Sequence, residues 1–143
     1  VMVRKGVVQS IQEAFDSYLA KGRPAYVPKA RLSARDVASL ARASGGVPVL
    51  AHPLSLGLDR PATASAIAAL AEDGLAGIEC HYGRYSPEER SWLLGVAKTY
   101  SLVATGGSDF HGDYKPDLSV GVGTGDLEVP DAVLDELEER RPD

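Results

Sequence analysis

Apolar positions along this chain switch between a helical period and short continuous runs, and the switching predicts its elements. Ile11, Phe15 and Leu19 recur at helical spacing beside Ala14 and Tyr18, and Ser10 with Glu13 forms a capping box, which predicts a helix over 10–20. Pro24 and Pro28 bracket a loop or edge segment. Ser33 with Asp36 opens a second helix, expected to carry Val37, Leu40 and Ala41 inward and to stop at Gly45-Gly46. Beyond it, apolar runs predict strands over 47–51, 76–80 and 102–105, and a fourth over 120–123. Helices are predicted over 63–71 and 130–138, the last with Val133, Leu134 and Leu137 on one side. Another starts at Ser86-Pro87-Glu88-Glu89, where Ser caps, Pro takes the first helical position and Trp92, Leu93 and Val96 form the apolar face.

Strands that alternate with helices predict an α/β fold with a parallel sheet, whose functional groups gather at the carboxyl ends of the strands. His52, the pair Glu79 and His81, and the pair Asp109 and His111 all follow apolar runs in that way. Three or four strands cannot close an eight-stranded barrel, so the sheet is either open or part of a larger barrel.

At 143 residues and 44% hydrophobic composition, one domain spanning 1–143 is expected. The net charge of -5 comes with scattered Lys and Arg, which argues against an extended nucleic-acid or membrane surface and leaves room for a small substrate. A single cysteine, Cys80, and the lack of a signal-peptide pattern or bilayer-spanning stretch fit a cytoplasmic setting. Val1 to Gly6 reads like the end of a helix that began earlier, so the chain is expected to be a fragment.

Gly106-Gly107-Ser108-Asp109-Phe110-His111-Gly112 carries the clearest chemistry. In extended backbone Asp109 and His111 project to the same side and can converge on a metal, and the glycines allow close approach of the backbone; the same composition also suits a plain turn. His52 is held by Pro53 at another strand end, and two imidazoles with a carboxylate suit zinc, manganese or iron better than magnesium. If its strand alternates, Glu79 and His81 share a side, while Cys80 and Tyr82 read as structural. Arg84, close to a helix start, and Lys29, after the Pro28 bend, are candidate phosphate contacts. No P-loop, Gly-x-Gly-x-x-Gly or Gly-x-Ser-x-Gly is present, so nucleoside triphosphate hydrolysis, a Rossmann cofactor and serine-hydrolase chemistry lack support.

Taken in order, Ala14-Phe15 with Tyr18-Leu19, Ala25-Tyr26-Val27-Pro28, Gly45-Gly46-Val47 with Ala51-His52-Pro53, Gly77-Ile78-Glu79 and Gly107-Ser108-Asp109-Phe110-His111 resemble the carboxyl-terminal half of PHP-family phosphoesterases, the polymerase and histidinol phosphatase superfamily. The resemblance covers nearly the whole chain, and the branch it is most similar to acts on nucleotide phosphates and short RNA ends. It implies a partial, distorted, TIM-like β/α barrel lacking its amino-terminal strands. It also implies divalent metals held by His52, Asp109 and His111, with Lys29 and Arg84 near the substrate phosphate. The implied substrate is a small phosphorylated molecule, either a nucleotide or a short RNA, with no membrane partner. The family's amino-terminal His-x-His is not among the three histidines here, and Tyr85 stands where members often carry a histidine. The implied activity is therefore that of a parent protein, the fragment alone being inactive; the rival is a degenerate β/α binding or interaction module. An open sheet edge is expected to favour self-association.

Overall fold

The computed structural model describes residues 1–142. They form two compact units, Val1–Arg31 and the remainder from Leu32.

In the first unit, Ser10 caps a short helix α1, Ile11–Ala14, by accepting the Glu13 N–H at 3.0 Å. The helix widens at once into a π turn over Phe15–Leu19, closed by the Ala20 N–H on the Phe15 carbonyl. The predicted apolar face is not a core here: Ile11 and Phe15 are exposed, and Ala14 is the buried residue.

The second unit is α/β. Its helices are α2 (Ala34–Ala43), α3 (Arg60–Glu72), α4 (Pro87–Thr99) and α5 (Ala132–Glu139), and its strands are β1 (Val49–Leu50), β2 (Gly77–Tyr82) and β3 (Val103–Gly107). The strands form one parallel sheet in the order β1-β2-β3. Ser33 and Ser86 make full capping boxes with Asp36 and Glu89, and Asp59 caps α3 through the Ala62 N–H, so that the helix begins three residues ahead of its predicted start. Ile67 of α3, Ile78 and Cys80 of β2, and Leu93, Val96 and Ala97 of α4 are buried together with Leu102, so two helices cover one face of the sheet.

Three expectations change. The segment 120–123 is not a strand: Gly121 and Gly123 adopt positive φ, and the chain turns so that Ser119 bridges back to Gly123. Val37 and Leu40 of α2 are exposed rather than inward, with Ala38 the buried residue. On α5, Val133 and Leu137 are half-buried while Leu134 is exposed. Among the described residues the strands form one open three-stranded sheet, as the sequence allowed.

Candidate functional site

A β-bulge shapes the site. Glu79 pairs with Thr105 and His81 with Gly106, so Cys80 is the extra residue on β2. Gly106 permits the crowding, because a Cβ there would fall 2.4 Å from the His81 Cβ and 2.5 Å from its carbonyl oxygen. The bulge breaks the alternation that would place Glu79 and His81 together. Tyr82 joins Glu79 at the site, whereas His81 is not among the residues that line the cavity; burial and the Arg90 charge hold its pKa below the ordinary histidine value.

His52 follows β1 in a left-handed conformation, φ 49° and ψ 53°. That strain, rare outside glycine, is held by a carboxylate: Glu79 Oε2 accepts the His52 backbone N–H at 2.9 Å and lies 3.3 Å from its Nδ1. Buried Pro53 then starts a 3-10 turn, and the Leu54 N–H donates to the Tyr85 hydroxyl at 3.2 Å. Asp109, past the end of β3, is likewise left-handed, with φ 53°.

The loops bring these residues together. Asp109 Oδ1 lies 3.7 Å from His52 Nε2 and 3.4 Å from His111 Nδ1. On its other oxygen, Asp109 accepts the Tyr82 hydroxyl at 3.0 Å and the Lys115 ammonium. The Lys115 hydrogen bond, with help from Tyr82, holds the Asp109 carboxyl below the usual carboxylate range. Burial, reinforced by Asp109, pushes the Tyr82 phenol up to about 12, so it stays a proton donor at neutral pH. Its ring stands edge-on to both His52 and Tyr85, at 4.7 and 4.8 Å between centroids. His52, Leu54, Ser55, Tyr82, Tyr85, Asp109 and Lys115 line a cavity of about 450 Å³.

His111 belongs to the cluster by distance but is turned partly away. Its Nδ1 bonds the Asp109 carbonyl at 2.7 Å and its side chain is exposed. Among the described residues, no group of three or more His, Cys, Asp and Glu is arranged to hold a metal ion as it stands. The donor chemistry of His52, Asp109 and His111 nonetheless fits a borderline divalent ion, and their near approach makes them a partial set. Arg84 is not brought to the cavity wall; it pairs with Asp117 at 2.9 Å. Lys29 lies in the first unit, on a pocket lined also by Tyr26 and Arg31.

Several known proteins are similar to this chain in sequence or structure. No family model matches the chain. Over 110 residues it is 34% identical to the 5'-3' exoribonuclease Rnm of Escherichia coli (strain K12), covering 77% of this chain and 38% of that protein. Over the same length it is 31% identical to a 3',5'-nucleoside bisphosphate phosphatase of Chromobacterium violaceum, covering 39% of it. A solved structure described as a metal-dependent phosphoesterase from Bifidobacterium adolescentis superposes with a TM-score of 0.69 at 29% identity, over 99% of this chain and 48% of that one. The chain resembles the PHP-type phosphoesterases.

It spans less than half the length of the curated relatives it matches. A structure from Chromobacterium violaceum, described as an amidohydrolase with bound sulfate and no metal, matches at 30% identity with a TM-score of 0.66, over 99% of this chain and 50% of that one. Sequence reasoning missed Lys115 and took Tyr82 for a structural residue. No motif marks Lys115, and Tyr82 reaches the site through a bulge; the crowding at Gly106 is the one sequence trace of it.

Proposed function

We propose that this chain carries part of the active site of a phosphoesterase that hydrolyses phosphate esters of nucleotides or short oligonucleotides. The observation behind the reading is that His52 and Asp109, from the ends of two strands, approach to 3.7 Å beside a cavity of about 450 Å³. Relatives named as an exoribonuclease and a nucleoside bisphosphate phosphatase support the substrate class. In this proposal His52, Asp109 and His111 hold divalent manganese, zinc or iron within a distorted β/α barrel. Bound metal would supply an activated water and neutralise developing charge at phosphorus. Glu79 keeps the His52 imidazole aimed at Asp109, and Tyr82 keeps Asp109 in place by donating to its second oxygen. Tyr85 steadies the turn after His52, so the cavity wall is preset before substrate arrives. Arg84 stays in the proposal as a phosphate contact, which requires it to leave Asp117. No helix of the described residues is long and apolar enough to cross a membrane, and a cytoplasmic setting remains part of the proposal.

The test is hydrolysis of a nucleoside 3',5'-bisphosphate and of a short 5'-phosphorylated RNA by the full-length parent protein with added Mn2+, for the wild type and Asp109→Asn. A loss of at least about a hundredfold in Asp109→Asn is expected if the carboxylate takes part in metal activation. Equal rates in the two would exclude it.

A second reading, a non-catalytic binding module, has one observation in its favour. Lys115 occupies Asp109, and no three ligands are already arranged around a common point among the described residues. Wild-type protein that binds no divalent ion, with hydrolysis absent, would select this reading.

A further inference from the structure

Asp109 is a carboxylate with a cation already on it. The Lys115 ammonium and the Tyr82 hydroxyl both donate to Oδ2, while Oδ1 faces His52 and His111. Tyr82 is neutral and can remain beside a metal. Lys115 cannot remain equally well, because two cations on one carboxylate repel each other and compete for its lone pairs. The backbone around Lys115 is tied down: its N–H bonds the Gly112 carbonyl at 3.1 Å, and its carbonyl takes the N–H of Leu118, a buried residue. Its flexible four-carbon stem is therefore the part free to move. Lys115 also supplies the only ammonium or guanidinium group among the residues lining the cavity.

We propose that Lys115 stands in for the metal's charge at Asp109 in the metal-free protein, is displaced when a divalent ion binds, and then faces the cavity as a contact for substrate phosphate. This rests on the metal-dependent reading of the same site. Displacement explains how one carboxylate can stay ordered without metal and still serve as a ligand. It also delivers a positive charge to the cavity only when the metal is present.

The experiment is calorimetric titration of Mn2+ into wild type, Lys115→Met and Lys115→Arg, followed by titration of inorganic phosphate into each Mn2+-saturated protein. Lys115→Met removes the competing charge at similar length. It is expected to bind Mn2+ about tenfold more tightly and phosphate about tenfold more weakly than wild type, each a single-charge effect on a partly desolvated site. Lys115→Arg keeps the charge and is expected to stay close to wild type for Mn2+. Acylation of Lys115 with an amine-reactive acetyl ester, read by mass spectrometry on the wild type, is expected to speed up on Mn2+ saturation. Equal Mn2+ affinity in wild type and Lys115→Met, or Mn2+-independent acylation, would overturn the displacement while leaving the metal site intact. Unchanged phosphate affinity would overturn the phosphate contact. Failure of every variant to bind Mn2+ would instead overturn the metal reading beneath it.

Discussion

Glu79 grips His52 at two points, its Oε2 accepting the backbone N–H at 2.9 Å and lying 3.3 Å from the ring Nδ1. One contact stabilises a left-handed backbone and the other fixes the ring so that Nε2 faces Asp109. Imidazoles that bind metals are commonly oriented through their second nitrogen in this manner. Glu79→Ala leaves a half-buried N–H without its acceptor, and is expected to cost about 1–3 kcal/mol of stability. It should also weaken Mn2+ binding by about 10–100-fold. Glu79→Gln keeps an acceptor and should lose less of both. Urea unfolding and Mn2+ titration measure the two effects; wild-type behaviour in Glu79→Ala would show that Glu79 does not position His52.

The alternation of βα units, the Ser33 and Ser86 caps and the meeting of His52 with Asp109 were legible because each rests on local chemistry: apolar runs, hydroxyl caps and polar residues at strand ends. What was not legible depends on contacts distant in sequence. Tyr82 replaces His81 at the site because one extra residue on β2 reverses which side follows, and no period within 77–82 announces a bulge. Val37 and Leu40 have helical spacing, yet spacing says only that they share a face, not that anything covers it. The segment 120–123 has strand-like valines, but its glycines at positive φ turn the chain back on itself.

Two glycines should respond to alanine in opposite directions. Gly106 faces His81 so closely that a Cβ would meet it at 2.4 Å, with Val129 at 2.8 Å on the other side. Gly106→Ala should therefore cost about 3 kcal/mol, at the upper end for overpacking, and disturb the bulge that brings Tyr82 to Asp109. Gly95 lies inside α4 with nothing within 4 Å of an added Cβ. Gly95→Ala should stabilise by about 0.5–1 kcal/mol through helix propensity alone. Thermal and urea unfolding of both variants provide the check, and equal signs would contradict the contact geometry.

Cys80 lies in the core with Ile78 and residues of α3 and α4, and burial, with a smaller push from Glu79, raises its thiol to about 12 from an ordinary value of 9.0. The native thiol should resist iodoacetamide at pH 8 and react only on unfolding. Between pH 9 and about 12 the unfolded chain ionises while the folded one does not. The folded state then binds more protons, so stability is full below pH 9 and falls as pH rises through that window, by up to about 1.4 kcal/mol per pH unit. Cys80→Ala should flatten that slope in urea unfolding between pH 8 and 10. An unchanged slope would move the alkaline effect to another group, such as Tyr82.

Among the described residues the sheet edge at β1 is unpaired on its outer side, and beside it Ala34, Val37, Ala38, Ala41, Val49 and Leu70 help line an apolar groove of about 300 Å³. Val37 and Val49 are exposed there, and Leu40 is exposed on the same helix as Val37. An open strand edge next to an apolar groove is a surface that a second copy can cover, since the backbone groups pair and the side chains leave water together. We therefore expect the isolated chain to self-associate as its concentration rises, with the apparent mass from light scattering exceeding that of the monomer. Val37→Glu and Leu40→Glu place charges on the exposed side of α2 and should shift association to higher concentration with little loss of folding, because neither side chain is buried. A monomer at all concentrations, or association untouched by both charges, would mean that this face is not where two copies meet.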